Sequence, residues 1–330
     1  MNSRLYNPFE KFSFTNEECF LTGKKVNPET EMISVFPEWI MERYSLSDQP
    51  FSMLGENKVL YSQLQIPCDS NVLENTINPL EEEIRKAFLE GFESVKKLDE
   101  TRLFQWMGKL VYGILFRDIA YGVEMQKASG KEFKLSPYLV KKFMNLHNML
   151  QSLVLPMEFK EKNPWSIAVV KVKYSKDIFN YKDETKNLNF SLAMNGFGIV
   201  ACLQDNGENL IYQNDLLKKI GDTPLHPIQF EELWCRFMYS NYLLEANSQF
   251  AFDDDGNKII VQSIPIKEGD QNPVFKKWDE KMYAQVLANY WKPWGLGMAD
   301  IYNFPNSPIS YLLDEYSNQL IGPDSIELQF

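Results

Sequence analysis

The spacing of apolar positions changes twice along the chain. Up to about residue 75 no long period holds, and residues 18–31 form a turn-rich hairpin or loop pattern. Within that stretch, 33–44 (ISVFPEWIMERY) predicts a short strand entering a short helix, with Pro37 suited to the first helical turn. Residues 59–66 (VLYSQLQI) alternate as a strand would. Helical spacing follows. Over 71–98 the Asn78-Pro79 pair marks a helix start. Glu81, Glu82 and Glu83 suit its first turn, and Ile84, Ala87, Phe88, Gly91, Phe92 and Val95 recur on one face. Over 101–125 the apolar stripe is wide (Leu103, Trp106, Met107, Leu110, Val111, Ile114, Leu115), which predicts a central buried helix. Gly108 and Gly113 would let a neighbour approach it closely. A third helix is expected over 136–155, with Pro137 at its first position.

From Trp165 the period shortens. Residues 166–174 read as a strand, and 188–194 and 197–203 flank Asn195-Gly196, a strong hairpin signal. Asp205-Asn206-Gly207 turns the chain toward 209–213, which extends the expected antiparallel meander. A helix is expected over 230–246. Strands at 249–252 and 258–264 surround the turn Asp253-Asp254-Asp255-Gly256-Asn257, and a last helix covers 273–291. The remainder, rich in Gly, Pro and aromatics, is expected to wrap over the domain. The fold class is therefore α+β. The expected organisation is a small module over 1–77 and a larger domain over 78–330: helical over 78–155, antiparallel sheet and helices over 165–291, and a wrapping tail over 292–330.

Charge narrows the function. The chain has 330 residues, with 34 Lys and Arg against 45 Asp and Glu, for a net charge of −11. No global basic footprint for nucleic acid exists. Basic pairs such as Lys24-Lys25 are scattered and read as solvated faces. The four cysteines (Cys19, Cys68, Cys202, Cys235) include no CxxC pair, so no disulfide framework is expected. No apolar N-terminal segment suggests a signal peptide, and 103–123 is interrupted by Gln105, Lys109, Arg117 and Asp118. No membrane insertion and a cytoplasmic location are expected.

Only two histidines occur. His147 lies among Phe143, Met144, Leu150 and Val154 at helical spacing and reads as a core residue; His226, before Pro227, reads as a helix entry. The 253–257 segment resembles a calcium loop only superficially, since the position where such a loop needs Glu is Ile264. Aromatics make up 14% of the chain, and the Tyr290, Trp291, Trp294 cluster is a candidate partner-binding surface.

One set of fragments shares an order with a known family. Cys19-Phe20-Leu21-Thr22, then Ser34-Val35-Phe36-Pro37-Glu38-Trp39, then Cys68-Asp69-Ser70-Asn71 with Leu73-Glu74 beyond, resembles an HNH endonuclease module over the first ninety residues. The later LFQWMGKLVYGIL segment resembles one found downstream in uncharacterised bacterial proteins of that type. The resemblance implies a treble-clef fold with two zinc knuckles and a histidine near Ser34. The chain departs from it where the chemistry would be. No histidine precedes His147, and of four knuckle thiols only Cys19 and Cys68 remain. Zinc and cleavage are both expected to be lost, with no cofactor and no catalytic residue retained, and with Phe20, Phe36, Trp39 and Leu60 holding the module together instead.

The expected function is a non-catalytic, nuclease-derived binding or scaffold subunit of a bacterial cytoplasmic complex with a protein partner. Two alternatives stand beside it. One is a metal-dependent enzyme using carboxylates of the C-terminal domain, such as Asp205 or Asp253. The other is a nucleic-acid binder with a local stripe of Lys24, Lys25, Arg43 and Lys58.

Overall fold

A computed structural model describes residues 4–53, 58–244, 249–264, 274–303 and 305–328. Near the N-terminus Glu18 and Lys25 pair across a tight turn, closed by Cys19 N–H donating to Lys24 O at 2.7 Å and Gly23 N–H donating to Cys19 O at 2.9 Å. β1 (Met32–Ser34) runs into α1 (Glu38–Arg43), and Pro37 occupies its N-cap, where a missing N–H costs nothing. β2 (Pro50–Ser52) pairs antiparallel with β3 (Lys58–Leu60), and β4 (Gln65–Pro67) pairs antiparallel with β1. The strand expected over 59–66 is thus two short strands separated by a 3-10 turn, Tyr61–Gln63. The Gln63 side chain accepts the Leu60 N–H at 2.9 Å and takes that donor away from further pairing.

Asp69 caps α2 (Ser70–Val72), which passes through a π-helical turn, Leu73–Ile77, into α3 (Asn78–Glu90). Asn78 N–H reaches back to Leu73 O, and this wide turn relieves the clash that the Pro79 ring would make with the preceding turn. The helix expected to continue to residue 98 breaks at Gly91, whose φ of +94° few other residues adopt; α4 (Phe92–Val95) follows. α5 (Glu100–Ala128) starts at Asp99, whose carboxylate accepts the Thr101 and Arg102 N–H groups at 2.8 and 3.3 Å. It is buried on every side from Leu103 to Phe116, as the wide stripe predicts. A Cβ on Gly113 would lie 2.8 Å from Val35 Cγ2, so the glycine admits the chain that follows β1. Ser136 caps α6 (Pro137–Leu150), and β5 (Met157–Lys160) follows.

β6 (Ser166–Lys171), β7 (Phe179–Glu184), β8 (Asn189–Met194) and β9 (Phe197–Cys202) form an antiparallel sheet in the order β6-β9-β8-β7. The β8–β9 turn is Asn195-Gly196 with both φ values positive, which matches the twist of the flanking strands. The meander ends there. Residues 209–212 fall in a helix, α7 (Glu208–Tyr212), with Gln213 as its C-cap, because the Asp205 carboxylate accepts the Asn209 N–H at 2.8 Å and starts the turn. α8 (Asn214–Ile220) leads to α9 (Pro227–Leu243), which packs on β8 and β9. β10 (Gln249–Asp254) and β11 (Ile259–Ile264) complete a three-stranded sheet, β10-β11-β5, in which β11 runs parallel to β5. α10 (Glu280–Trp291) and α11 (Met298–Ile301) precede the tail.

The chain divides into two units: Met1–Leu89 with Leu98–Glu161 and Phe250–Ser263, and Glu90–Lys97 with Lys162–Gln249 and Ile264–Phe330. The boundary expected at Asn78 therefore lies inside the first unit, because α5 fills that unit's core. Phe14 meets Phe116, Phe20 meets Tyr112, and Trp39 and Trp106 both set edges against Phe88. In the second unit the tail docks on α9 as a wrapping segment. The fully buried Glu232 carboxylate accepts Ser310 Oγ–H, Tyr311 N–H and Leu312 N–H at 2.8, 2.7 and 3.0 Å. Gln229 Nε2–H donates to Tyr311 O and Ile321 O. Among the described residues no helix is long and apolar enough to cross a membrane.

Candidate functional site

The turn after Glu18 and the start of α2 bring Cys19 and Cys68 together. Phe20 N–H donates to Pro67 O at 2.9 Å, and the two thiols lie beside each other with no exposed surface. The Cys68 thiol leans on the Asp69 carbonyl at 3.6 Å. The pair is asymmetric. The neighbouring Cys68 thiol lowers the Cys19 pKa against the cost of burial, helped by the Asp69 and Leu21 backbone and the Thr22 hydroxyl; Cys19 and burial together raise that of Cys68.

Zinc does not fit here. The positions that would complete the two knuckles are Thr22 and Asn71, a hydroxyl and an amide, which do not replace thiolate or imidazole in a closed tetrahedral site. Among the described residues no group of three or more His, Cys, Asp or Glu side chains is arranged to hold a metal.

A cleft of about 440 Å³ is lined by Ser34, Trp39, Gln65, Asn78, Glu81 and Lys109 among others. β1 and the first turn of α1 supply Ser34 and Trp39, β4 supplies Gln65, and α3 supplies Asn78 and Glu81. Lys109 reaches in from α5, and its ammonium is buried 2.6 Å from Glu81 Oε1. Trp106 Nε1–H donates to the other Glu81 oxygen at 3.0 Å. A lysine this deep needs a counter-ion, and removing either partner would leave the other charged and desolvated. The Trp39 indole N–H has no partner among the described residues. The cleft thus presents the Gln65 and Asn78 amides and Ser34 at its surface, with the Lys109–Glu81 pair and the Trp39 indole N–H buried in its wall. No histidine lines it, and its Glu81 carboxylate is engaged by Lys109 and Trp106.

Comparison with models of protein families, with curated proteins and with solved structures finds no match to this chain. The site is therefore read from its own residues. The other sequence candidates are placed as follows. Lys24 and Lys25 are exposed on the turn after Glu18, with Lys24 3.9 Å from Asp69; Arg43 is exposed over the Tyr44 ring; Lys58 is exposed at the start of β3. Lys24 lines a recess with Thr22 and Asn71, and Lys58 a different one with Arg117 and Tyr121, so the four cations do not share one cleft.

The aromatic cluster is not the surface it was expected to be. Trp291 is fully buried and stands edge-on to Tyr311, so it has no face to offer a partner. Tyr290 is half-buried against Trp234, its hydroxyl 3.4 Å from Met238 Sδ, and Trp294 is half-buried beside His226. These rings hold α10 and the tail to α9.

The two carboxylates of the enzyme alternative lie in different settings. Asp205 is fully buried and accepts Ser166 Oγ–H at 2.6 Å, Asn209 N–H and Nδ2–H at 2.8 and 2.9 Å and Gly207 N–H at 3.2 Å; burial raises its pKa, and these four donors oppose the rise. Asp253 is exposed near the end of β10, before a turn closed by Asp255, which accepts the Asn257 and Lys258 N–H groups, and Asp254 is paired with Arg4. His226 caps α9, with Nδ1 accepting the Ile228 N–H and Nε2–H donating to Leu328 O. Sequence reasoning missed Glu81 and Lys109 as a pair. The signal was a lysine inside the widest apolar stripe of the chain, which a buried helix tolerates only with a partner.

Proposed function

We propose that the chain is a non-catalytic, nuclease-derived binding subunit of a bacterial cytoplasmic complex, engaging a protein partner through the cleft lined by Ser34, Gln65, Asn78 and Lys109. One observation carries the reading. Residues of the HNH-like segment 34–39, with Leu73 and with Lys109 of the later helix, line one cleft beside the Gln65 and Asn78 amides, while residues 19–22 and 68–71 lie outside its lining. Exposed amides and a hydroxyl of this kind can hydrogen-bond a peptide surface, and the Glu81 carboxylate is held by Lys109 and Trp106. The net charge of −11 opposes polyanions and so favours protein over bare nucleic acid.

The test is affinity purification from the native host with wild-type chain and a Ser34→Arg variant, which fills the cleft mouth. The expected result is a stoichiometric protein partner, an absorbance ratio free of nucleic acid, loss of the partner in the variant, and no DNA cleavage with magnesium or manganese. Metal-dependent cleavage, or a solitary chain, would overturn the reading. The exposure of Lys24, Lys25, Arg43 and Lys58 favours a second reading, nucleic-acid binding. Salt-sensitive binding that falls when the four are neutralised would establish it instead.

A further inference from the structure

β1 has a partner on one side only. It forms a two-stranded sheet with β4, so its second edge is open. The ladder shows which backbone groups that edge carries. Cys68 N–H donates to Glu31 O at 2.9 Å, and Val35 N–H donates to Leu64 O at 2.8 Å. Residues 31 and 35 therefore bond toward β4, and so does Ile33, which stands opposite Ile66. Met32 and Ser34 occupy the alternate positions, where N–H and C=O turn away from β4. Among the described residues these outward groups have no hydrogen-bond partner.

The open edge faces the cleft. Met32, Ile33 and Ser34 all line it, although successive side chains of a strand point to opposite faces. A cleft that touches all three follows the strand's edge. Of β4 only Gln65 lines it; the rest of the lining comes from the chain entering α1, from α3 with the π-helical turn before it, and from Lys109. An edge with free donors and acceptors is a template for another extended chain.

Two features choose the occupant. The edge is recessed, so a second copy would bring an edge lying in a cleft of its own, and two recessed edges cannot meet. What reaches it is an extended segment standing out from another protein. The charge of that segment follows from the lining. Lys109 and Glu81 neutralise each other, which leaves Glu38, exposed in the first turn of α1, as the charge the cleft presents. With a net charge of −11 on the chain, that carboxylate favours a basic segment. We propose that an extended basic segment of the partner protein adds to the outer edge of β1 as a third strand, pairing with the N–H and C=O groups of Met32 and Ser34 and setting a lysine or arginine near Glu38. The inference rests on the cleft being the partner's site, and it states how the partner is held there.

The probe is the protein recovered on the tagged chain, purified and titrated against the full chain and its variants. Ser34→Ala keeps the outward N–H and should bind as the wild type does. Ser34→Pro removes that N–H and puts a ring in the path of an added strand, so binding should weaken about tenfold or more. Glu38→Lys should also weaken binding, and the difference from wild type should shrink in high salt. Amide hydrogen exchange on the wild-type complex is independent of whether any variant folds. The Met32 and Ser34 amides should exchange more slowly in the complex than in the free chain. Equal binding by Ser34→Pro and Ser34→Ala, or unchanged exchange at Met32 and Ser34, would overturn the strand pairing; loss of the partner in Ser34→Arg would then leave the reading of the cleft standing without it. Retention of the partner by Ser34→Arg defeats that reading itself. Undiminished binding by Glu38→Lys would rule out a basic segment. Self-association of the chain alone, abolished by Ser34→Pro, would give the edge to a second copy instead.

Discussion

At the residue scale the most informative side chain is His147. It has no exposed surface, its Nε2–H donates to Phe20 O at 2.8 Å, and its Nδ1 faces Gln151 Nε2 at 3.3 Å. Burial lowers its pKa to about 4 from the ordinary 6.5, against the backbone carbonyls that raise it. The unfolded chain therefore binds the proton first. The neutral ring's contribution is fully present above 6.5, declines as pH falls toward about 4, and is then exhausted. The gap corresponds to about 3 kcal/mol. Asp183 acts in the opposite sense, because burial raises its pKa to about 6 and acid then favours the folded state. The measurement must therefore be a difference. Urea unfolding of wild type and His147→Gln at neutral pH and near pH 4 should show the wild type losing about 3 kcal/mol more than the variant. Parallel pH profiles would refute the assignment. The cysteine pair makes a second expectation at this scale. A structural zinc contributes on the order of 10 kcal/mol, and its removal unfolds small domains. With Thr22 and Asn71 in place of two ligands, a strong chelator should leave the thermal midpoint unchanged.

At the scale of elements, the second unit depends on how closely α9 approaches β9. A Cβ on Gly198 would lie 2.3 Å from Phe230 Cε2, and that ring is fully buried with no room to retreat. Gly198→Ala should cost about 1–3 kcal/mol in urea unfolding, and adding Phe230→Leu should recover part of it. Additive losses would mean that the helix does not rest on this contact. How far such elements are legible in the sequence depends on what decides them. Period and turn chemistry decided α5, α6 and the Asn195-Gly196 hairpin, and these were legible. Single side-chain hydrogen bonds decided the others. Gln63 divides an alternating stretch into two strands, and Asp205 turns 209–212 into a helix. Trp291 reads as an interface aromatic until the tail is seen to cover it, and Lys109 reads as a flaw in an apolar stripe until Glu81 is seen opposite. Long-range partners of this kind leave no local pattern.

At the scale of the whole molecule, the question is whether the region around Cys19 and Cys68 is a module. Its aromatic side chains rest on later helices: Phe14 on Phe116, Phe20 on Tyr112, Trp39 on Phe88. Its backbone does so as well. Phe20 O is bonded by His147, and Tyr6 N–H and O are both bonded by the Gln151 side chain. Removing α3, α5 and α6 would expose these side chains, at about 1.5–3 kcal/mol for each large one. What remains among the described residues would be four three-residue strands, one six-residue helix, the 3-10 turn Tyr61–Gln63 and the three-residue α2 with its π-helical turn. A piece of that size is marginal even when well packed, and zinc does not fit as a substitute for the lost core. A fragment of residues 1–77 should therefore show coil-like circular dichroism and narrow amide proton dispersion, with zinc or without it, while the full chain is folded under the same conditions. A dispersed spectrum from the fragment would mean that this region holds a core of its own, and would restore the boundary to Asn78.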